Sequence, residues 1–565
     1  MLILFFSISM LILLSTIGYG LITIKILKFE KFSHNYGLIG ILGLFFLTII
    51  AGITHLFVPH NYLHNTIVFI IGLVGLIFFK KKKFNELKFL IIIFSLLFIA
   101  ILMAKTNEDF GYYHLPNSLQ FAQQKIQFGL GNLNHGFKHI SSIFMLMSLH
   151  YLPAFEYNLF NLTNFLFLTF FITFILNEIY LQNKINLNFS NIILSLFFIL
   201  FLTKFSRLAE YGSDISGQIL ISIYFFYQLE FFYNSKLKIN EKFDYFKLSL
   251  ILIVFAVTLK FISIIYSLLL IVFFVVFKKK GKLIIQLLKF NYLLIIALPV
   301  LIFFILNFSS TGCFIYPIEY LCLTEKLDWT LNSEIIQYLN FHYEVWAKGG
   351  KGPDFSVNNQ ADYILHLNWL SNWIDVYFIG KFSDYILVII AIILIFTLFY
   401  YYEIFLLKKK LVKINYNFLL IYSSLIIIFL FWFFNFPTLR YAGYIIVFLL
   451  LIFPYSNIVE NKINLRSKKV LKKLSIIFLI SYSIFLIKNL NRISNELDLS
   501  VNEHNNFENF PFYWVNKKDY EKIEVNGHQL YLTDGSCWTV PSTCVRGSNT
   551  FEIVKKNSYI FYKKK

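Results

Sequence analysis

The chain has 565 residues, of which 58% are hydrophobic and only 14% are charged. Soluble globular proteins have about 45–50% apolar and about 25% charged residues, so a charge content this low cannot cover the surfaces of soluble domains. Long runs such as 2–24 and 384–406 contain almost no charge. The composition therefore predicts a polytopic integral membrane protein, and it excludes a secreted soluble enzyme, a disordered chain and a peripheral protein held by one anchor.

The formal net charge of +19 comes from lysines in short clusters directly after apolar runs. Lysines in this position are typical of cytoplasmic loops, which carry the excess positive charge of membrane proteins. No basic face interleaved with stacking aromatic residues is present, so the sequence predicts no nucleic-acid partner. The clusters are Lys80 to Lys83, Lys278 to Lys280, Lys408 to Lys410 and the lysines of 468–473.

About 20 apolar residues cross the hydrocarbon core as a helix. On this measure the sequence predicts an all-α fold: a polytopic transmembrane helix bundle of about fourteen spans with extracytoplasmic juxtamembrane helices. The first run lacks a basic flank and a small-residue cleavage site, so it is expected to remain as a span. The predicted spans lie near 2–26, 38–57, 62–79, 88–104, 158–180, 190–204, 215–232, 247–259, 261–277, 285–308, 383–406, 416–435, 441–456 and 473–489.

Threading these spans alternately places the lysine clusters on one side, which is the cytoplasmic side. Both termini and the long polar segments then lie outside. Abundant Phe, Ile, Lys, Asn and Tyr resemble the bias of an AT-rich bacterial genome, so the expected location is the inner membrane of a bacterium. The regions are a four-span region (1–104), an outer loop with the candidate site (105–157), a bundle (158–308), a large outer loop (309–382), a second bundle (383–489) and an outer tail (490–565).

The four cysteines all fall in the predicted outer segments. Cys313 and Cys322 share one loop, and Cys537 and Cys544 share the tail. Neither spacing is typical of a zinc site. An oxidising compartment favours two short local disulfides. Four free thiols remain the alternative.

Glu108 and Asp109 open the first outer loop, directly after a predicted span. Adjacent carboxylates at a low-dielectric boundary can hold a divalent cation or accept a proton. His114 follows five residues later. Residues 115–127 have an apolar stripe at helical spacing, which predicts an amphipathic helix lying on the membrane. The alternative is a solvated acidic turn before that helix.

A second constellation, "SRLAEYGSDISGQ", places Arg207, Glu210 and Asp214 in a very short loop. Charges at membrane depth usually face an interior cavity or pair with each other. The sequence leaves both possibilities open: a substrate-binding group, or a local ion pair of Arg207 with Glu210 or Asp214 that ties two helices together.

Lys260 and Arg440 are further basic residues near the predicted outer face. A basic residue at this depth suits an anionic group, and lipid phosphate is the obvious one available there. For Lys260 the sequence favours snorkelling to the interface instead. His135 and His139 lie four residues apart, but the glycines around them argue against a helix that presents both to a zinc ion.

Several segments resemble known membrane proteins. "EDFGYYHLPNSLQFAQQKIQFGLGNLNHGFKHISS", "RLAEYGSDISGQ", "SSTGCFIYPI" and "CWTVPSTC" look like a family of uncharacterised bacterial multi-pass membrane proteins often encoded among surface-polysaccharide genes. Many spans, an acidic pair in the first large outer loop and basic residues at the outer mouth also resemble, more distantly, the GT-C class of glycosyltransferases. GT-C proteins usually place the loop carboxylate after their first span, whereas three further spans precede it here.

The GT-C resemblance implies a specific chemistry. It makes Asp109 the base that acts on the acceptor, with Glu108 as its partner or as a metal ligand. The implied donor is a sugar on a polyprenyl phosphate, and the implied acceptor is a cell-surface glycan or lipid. His114, Arg207, Glu210, Asp214, Lys260 and Arg440 are the candidate substrate-binding residues. A non-catalytic polysaccharide or lipid transporter, and a polymerase or ligase of lipid-linked glycans, remain the alternatives.

Overall fold

The computed structural model is a helical membrane protein with a small β-structured tail. It describes the chain except for residues 80–83, 104–106, 182–187, 207, 209–211, 213, 235–236, 278, 325, 353–354, 407–415, 463–467, 499–510, 512–514, 516–517, 548–550 and 565.

The first region consists of four helices, which are α1 (Leu2–Leu27), α2 (Tyr36–His55), α3 (Tyr62–Phe79) and α4 (Phe84–Leu97). Glycines let α1 lie directly against α2 and α3. A Cβ added at Gly18 would lie 1.8 Å from the carbonyl oxygen of Gly72, and one at Gly43 would lie 2.0 Å from that of Thr16. Close backbone approach through small residues is how helices associate where lipid removes the hydrophobic driving force.

Two short helices follow in the 107–157 loop, α5 (Leu115–Gln123) and α6 (Ser142–Leu149). The main bundle then contains α7 (Leu162–Leu176), α8 (Phe189–Lys204), α9 (Asp214–Tyr233), α10 (Ile239–Leu259), α11 (Ser267–Val276), α12 (Lys280–Leu287) and α13 (Phe290–Thr311). The spans that include α7 and α9 are the most enclosed, with 100% and 94% of their apolar windows buried.

The next loop carries α14 (Ser333–Ala347), α15 (Gln360–Ile364) and α16 (Leu370–Trp373). The last helices are α17 (Ser383–Phe399), α18 (Tyr416–Asn435), α19 (Tyr444–Lys462) and α20 (Lys468–Leu497).

Among the described residues, ten helices are long and apolar enough to cross a membrane. They include α1, α2, α3, α7, α9, α13, α17, α18, α19 and α20. The multi-pass helical membrane fold is therefore confirmed. The helix α8 and the segment Phe261–Val276 are apolar but shorter, and α10 begins in a charged turn containing Glu241 and Asp244. The count of about fourteen spans, the sidedness and the inner membrane remain predictions.

The tail corrects the prediction of an all-α fold. It contains β1 (Glu521–Val525), β2 (His528–Thr533), β3 (Cys544–Arg546), β4 (Phe551–Lys556) and β5 (Tyr559–Lys564). Strands β1 and β2 pair antiparallel, β3 adds parallel to β2, and β4 and β5 form a separate hairpin. Asn526 and Gly527 both have positive φ, at 50° and 70°, as a two-residue type I′ hairpin turn requires. An Asn-Gly pair is a sequence signal that could have predicted this hairpin.

Both predicted cysteine pairings are confirmed as disulfides. Cys313–Cys322 closes a short hairpin after α13, and Cys537–Cys544 closes the connection between β2 and β3. No free cysteine remains, so the alternative of free thiols is wrong.

The tail packs on the 107–157 loop, and this contact corrects the prediction of a helix lying on the membrane. The predicted amphipathic helix exists as α5, but it does not lie on a membrane surface, because Leu115 through Ala122 are all buried. Gln123 accepts a hydrogen bond from the Ser542 backbone at 2.8 Å. Phe128 pairs with β5, donating to the Ile560 carbonyl at 2.9 Å. The polar face expected to meet water is covered by the tail instead.

Candidate functional site

Four charged residues meet at helix ends in one place. Asp109 directly precedes the helical segment Phe110–His114 that leads into α5, and Asp214 is the first residue of α9. Lys260 ends α10, and Arg440 lies between α18 and α19. These four residues are the charged cluster. Helix ends bring them together because each of these helices begins or ends at the same end of the bundle.

The charged cluster alternates in sign. Arg440 Nη2 donates to Asp109 Oδ2 at 2.8 Å, and Arg440 Nε lies 4.0 Å from Asp214 Oδ2. Lys260 forms an ion pair with the other carboxylate oxygen of Asp214. The side chains of Arg440 and Asp109 are 41% and 29% exposed, against 18% and 14% for Lys260 and Asp214. The Asp109–Arg440 pair therefore faces the accessible side, and the Asp214–Lys260 pair lies deeper.

An interrupted helix carries Arg440. Residues Leu439–Gly443 include non-helical backbone, and Ala442 has a φ of 65°, a left-handed conformation that costs of order 1–3 kcal/mol. Aromatic side chains hold the backbone of this break. Tyr266 donates to the Ala442 carbonyl at 2.8 Å, and Tyr377 accepts from the Leu439 amide at 2.6 Å. Irregular backbone at membrane depth is tolerated where protein buries it or where it lines a cavity.

Tyr441 supplies an aromatic face to both cations. Its ring centroid lies 5.0 Å from Lys260 Nζ and 5.4 Å from Arg440 Cζ. The negative face of an aromatic ring attracts cations at such distances. This contact orients the two basic groups toward the two carboxylates.

His114 lies directly beside the start of α9. A Cβ added at Gly212, whose φ is +48°, would lie 2.0 Å from His114 Cε1, so only glycine fits there. Burial, with the neighbouring Arg440 and Lys260 charges, lowers the pKa of His114 to about 3. His114 is therefore a neutral imidazole. Its Nε2 and the side-chain amide of Gln218 have no hydrogen-bond partner among the described residues.

The carboxylate of Asp109 is kept ionised. Burial raises the pKa of Asp109, whereas the neighbouring groups, with Arg440 first among them, lower it, and the net result is a pKa below the ordinary value. A carboxylate held in this way is a weak base while Arg440 remains its partner. Removing that partner raises its proton affinity.

A group of histidine and tyrosine side chains borders Asp109. Tyr343, on α14, has its hydroxyl 3.0 Å from His135 Nε2 and 3.2 Å from His139 Nε2. His139 also contacts the ring of Tyr113, with centroids 5.0 Å apart. Burial lowers the pKa of His139 to about 4, so it too is neutral. The sequence pointed to His135 and His139 without Tyr343, whose helix lies about 200 residues further along the chain.

Not every predicted site residue joins this arrangement. Glu108 is exposed, while Arg207 and Glu210 lie outside the described residues. The described parts of the chain contain no group of three or more His, Cys, Asp or Glu side chains that could hold a metal ion. The structure thus brings together His114 and the charged cluster, and it leaves Glu108 at the surface.

The tail adds two residues that the sequence did not single out. The Trp538 amide donates to the Gly111 carbonyl at 2.9 Å, and a Cβ at Gly111 would lie 2.1 Å from the Trp538 ring. The Arg546 guanidinium lies 5.6 Å from the Tyr112 ring centroid. Both contacts fall within three residues of Asp109, so the tail forms one wall of the site. Pairing across more than 400 residues leaves no local sequence signal.

Comparisons with known proteins give one match. Neither a curated protein nor a solved structure matches the chain. The model of a family described as "Domain of unknown function (DUF8201)" matches residues 1–447. The matched range contains the whole charged cluster and ends within α19, before the tail. The chain therefore belongs to the DUF8201 family of proteins with a domain of unknown function.

Proposed function

We propose that this protein is a membrane glycosyltransferase of GT-C type. It transfers a sugar from a polyprenyl-phosphate donor to a cell-surface glycan or lipid acceptor on the extracytoplasmic face of a bacterial inner membrane. The observation that carries this proposal is the ion pair of Asp109 with Arg440, which joins a candidate base to a candidate phosphate ligand at a bundle end. The lysine clusters support the sidedness, because they follow the opposite helix ends.

The Asp109–Arg440 pair supports a partner exchange. A donor phosphate that reaches the cluster offers Arg440 oxygen atoms with the geometry that guanidinium groups bind well. When Arg440 turns to the phosphate, Asp109 loses the charge that lowers its pKa. The carboxylate then becomes a stronger base at the moment when the donor is in place.

In the proposed transfer step, the bond that forms to the acceptor replaces the bond that breaks to the donor phosphate. The acceptor hydroxyl oxygen attacks the anomeric carbon of the donor sugar, and Asp109 takes the hydroxyl proton. The bond between the anomeric carbon and the phosphate oxygen breaks, and the polyprenyl phosphate leaves with the electron pair. Arg440 stabilises the charge that develops on this phosphate.

Asp214 and Lys260 have a positioning role in this proposal. Their ion pair joins the start of α9 to the end of α10 and lies within reach of Arg440. Removing one partner of a buried pair leaves an uncompensated charge, which is strongly destabilising. Substitutions at either residue are therefore expected to lower stability together with activity.

A transporter of polysaccharide or lipid is the second candidate. The break at Leu439–Gly443 favours it, because transporters use interrupted helices at their binding sites.

A polymerase or ligase of lipid-linked glycans would share the chemistry of the first proposal. Any divalent cation would act beside Asp109, with Glu108 as the other candidate ligand.

The test is a transfer assay in proteoliposomes with polyprenyl-phosphate donors that carry radiolabelled hexoses. The proposal expects labelled glycan or lipid together with free polyprenyl phosphate, and it expects Asp109→Asn to stop both. Labelled donor that crosses the bilayer with its sugar–phosphate bond intact, in wild type and variant alike, would favour the transporter. Addition of a chelator, followed by Mg²⁺ or Mn²⁺, reports whether a cation takes part.

A further inference from the structure

Three aromatic rings follow one face of α14. Tyr338, His342 and Trp346 are four residues apart, and their ring centroids are separated by 6.0 Å at each step. The successive ring planes are tilted by 36° and 38°. Side chains at this spacing are neighbours on a helix surface. These three residues form the α14 aromatic stripe.

The α14 aromatic stripe faces water rather than lipid. Tyr338 is 58% exposed and Trp346 is 37% exposed. Glu334 and Gln337 are exposed on the same helix, and α14 does not meet the length and hydropathy of a membrane span. A helix that exposes a carboxylate and an amide would not face hydrocarbon. Exposed aromatic residues among polar neighbours mark an interaction surface.

The helix beneath the stripe is firmly held. Ile336, Leu339, Val345 and Ala347 of the same helix are buried against the rest of the protein. At its start, Gln337 donates to a carboxylate oxygen of Glu319 at 2.7 Å. On the stripe itself, Lys351 Nζ lies 3.3 Å from His342 Nδ1. A rigid platform of aromatic side chains loses little conformational entropy when a ligand binds.

The same helix reaches the candidate catalytic site. Tyr343 follows His342 directly and contacts His135 and His139. His139 in turn packs against the ring of Tyr113, four residues from Asp109, with ring centroids 5.0 Å apart. The α14 aromatic stripe and the charged cluster are therefore connected through one helix and one layer of side chains.

We propose that the α14 aromatic stripe binds the acceptor glycan by stacking its sugar rings. A pyranose ring has faces of polarised C–H groups, which the negative face of an aromatic ring attracts, and a rim of hydroxyls that need polar partners. The stripe offers the aromatic faces, and Lys351 lies 3.3 Å from His342 as a polar partner beside them. This inference rests on the proposed function, because it assigns the acceptor side of the same reaction.

The experiment measures binding of the full chain, in nanodiscs, to surface polysaccharide purified from cells that carry the protein naturally. Tyr338→Ala and Trp346→Ala should each weaken binding about tenfold, since each removes one stacking ring. The matched control is Tyr320→Ala, which removes a 97% exposed tyrosine from the Cys313–Cys322 hairpin. The control should bind like wild type. An unmeasurable wild-type affinity, or equal losses in the control, would overturn the proposal.

Two further measurements distinguish glycan binding from a membrane-anchoring role of the stripe and from a failure of the proposed function. Nanodiscs with brominated acyl chains quench tryptophans in the bilayer, and Trp346→Phe should leave the quenched emission intensity unchanged. A large fall in that intensity would make the stripe a membrane anchor and refute glycan binding. Asp109→Asn should keep wild-type polysaccharide affinity while losing transfer. If it keeps transfer as well, the proposed function fails although the stripe still binds glycan.

Discussion

Two groups of polar side chains contact the 107–157 loop, and they are built in opposite ways. The charged cluster is held by ion pairs and is partly open to solvent. The histidine cluster consists of His55, His60 and His64, where α2 and α3 meet the loop. His60 Nδ1 lies 2.7 Å from Ser148 Oγ, and its Nε2 lies 3.0 Å from the Ala51 carbonyl oxygen.

The difference separates a reactive arrangement from a structural one. Burial lowers the pKa of His60 well below its ordinary value, so it is a neutral hydrogen-bonding group between fixed partners. Its neighbour Asn65 donates to the carbonyl oxygens of His60 and Ser148, at 2.7 and 2.9 Å. Such a network ties helices together. The charged cluster instead keeps an exchangeable partner, Arg440, within reach of a ligand.

Apart from Asp109→Asn, the largest effect on this comparison should come from Arg440→Gln. The variant removes the charge that stabilises the departing phosphate while keeping a hydrogen-bond donor. Loss of one preorganised donor to a developing anion lowers kcat by about 10²–10³-fold. Single-turnover transfer rates measure the effect, and size-exclusion chromatography checks the fold. Wild-type turnover by a folded variant would remove Arg440 from the chemistry.

The two disulfides should differ in their effect on transfer. Cys537–Cys544 flanks Trp538, which packs on Gly111 beside Asp109, whereas the Cys313–Cys322 hairpin carries the exposed Tyr320. Replacing both tail cysteines by serine should lower kcat about tenfold, because small displacements of reacting groups cost rate steeply.

The matched control replaces Cys313 and Cys322 by serine and should keep kcat within about twofold. Transfer assays on both double variants, run beside wild type, make the comparison. Equal losses in the two variants would mean that the tail disulfide acts only through general stability.

The histidine cluster should report on stability and not on turnover. His60→Phe removes the ring-nitrogen hydrogen bonds to Ser148 and the Ala51 carbonyl, while Ser148 keeps its contact with the Met145 carbonyl. Each lost hydrogen bond contributes about 0.5–1.5 kcal/mol, so Tm should fall while the kcat of the folded fraction remains. Scanning fluorimetry and transfer assays at a permissive temperature test this. A lowered kcat with unchanged Tm would place His60 in the reaction.

The smallest effect is a shift of the pH profile. Asp109 acts as a base only when ionised, so activity is lost as pH falls through its pKa. Because Arg440 lowers that pKa, the acid limb of kcat/KM should lie below the ordinary pKa of an aspartic acid. In Arg440→Gln the pKa rises, and the limb should move to higher pH. An unchanged limb in the residual activity would contradict the electrostatic coupling.

Much of the charged cluster could be predicted from the sequence. Asp109, Asp214 and Arg440 each lie at the end of a strongly apolar run, and alternate threading puts those ends on one side. The partner of Lys260 could not be predicted, because an interfacial lysine reads as snorkelling until Asp214 is known to lie beside it. The interruption at Leu439–Gly443 could not be predicted either, since the two tyrosines that hold it, Tyr266 and Tyr377, come from two other segments of the chain.

The contacts that the tail and α14 make with the rest of the protein could not be predicted from the sequence. The alternating residues of Glu521–Thr533 and the Asn526–Gly527 turn were readable, but the docking of the tail on α5 depends on contacts more than 400 residues apart. The aromatic spacing of Tyr338, His342 and Trp346 was also present. That spacing indicates a binding surface near the site only because α14 also reaches His135 and His139.

The most direct test of the central claim compares Asp109→Asn with Glu108→Gln in single-turnover transfer from a polyprenyl-phosphate sugar. The two carboxylates are adjacent, but only Asp109 pairs with Arg440, and Glu108 is exposed. Asp109→Asn should lower the rate by about 10²–10⁴-fold, the range of general-base catalysis, while Glu108→Gln should remain near wild type. Wild-type rates in a correctly inserted Asp109→Asn protein would contradict the account.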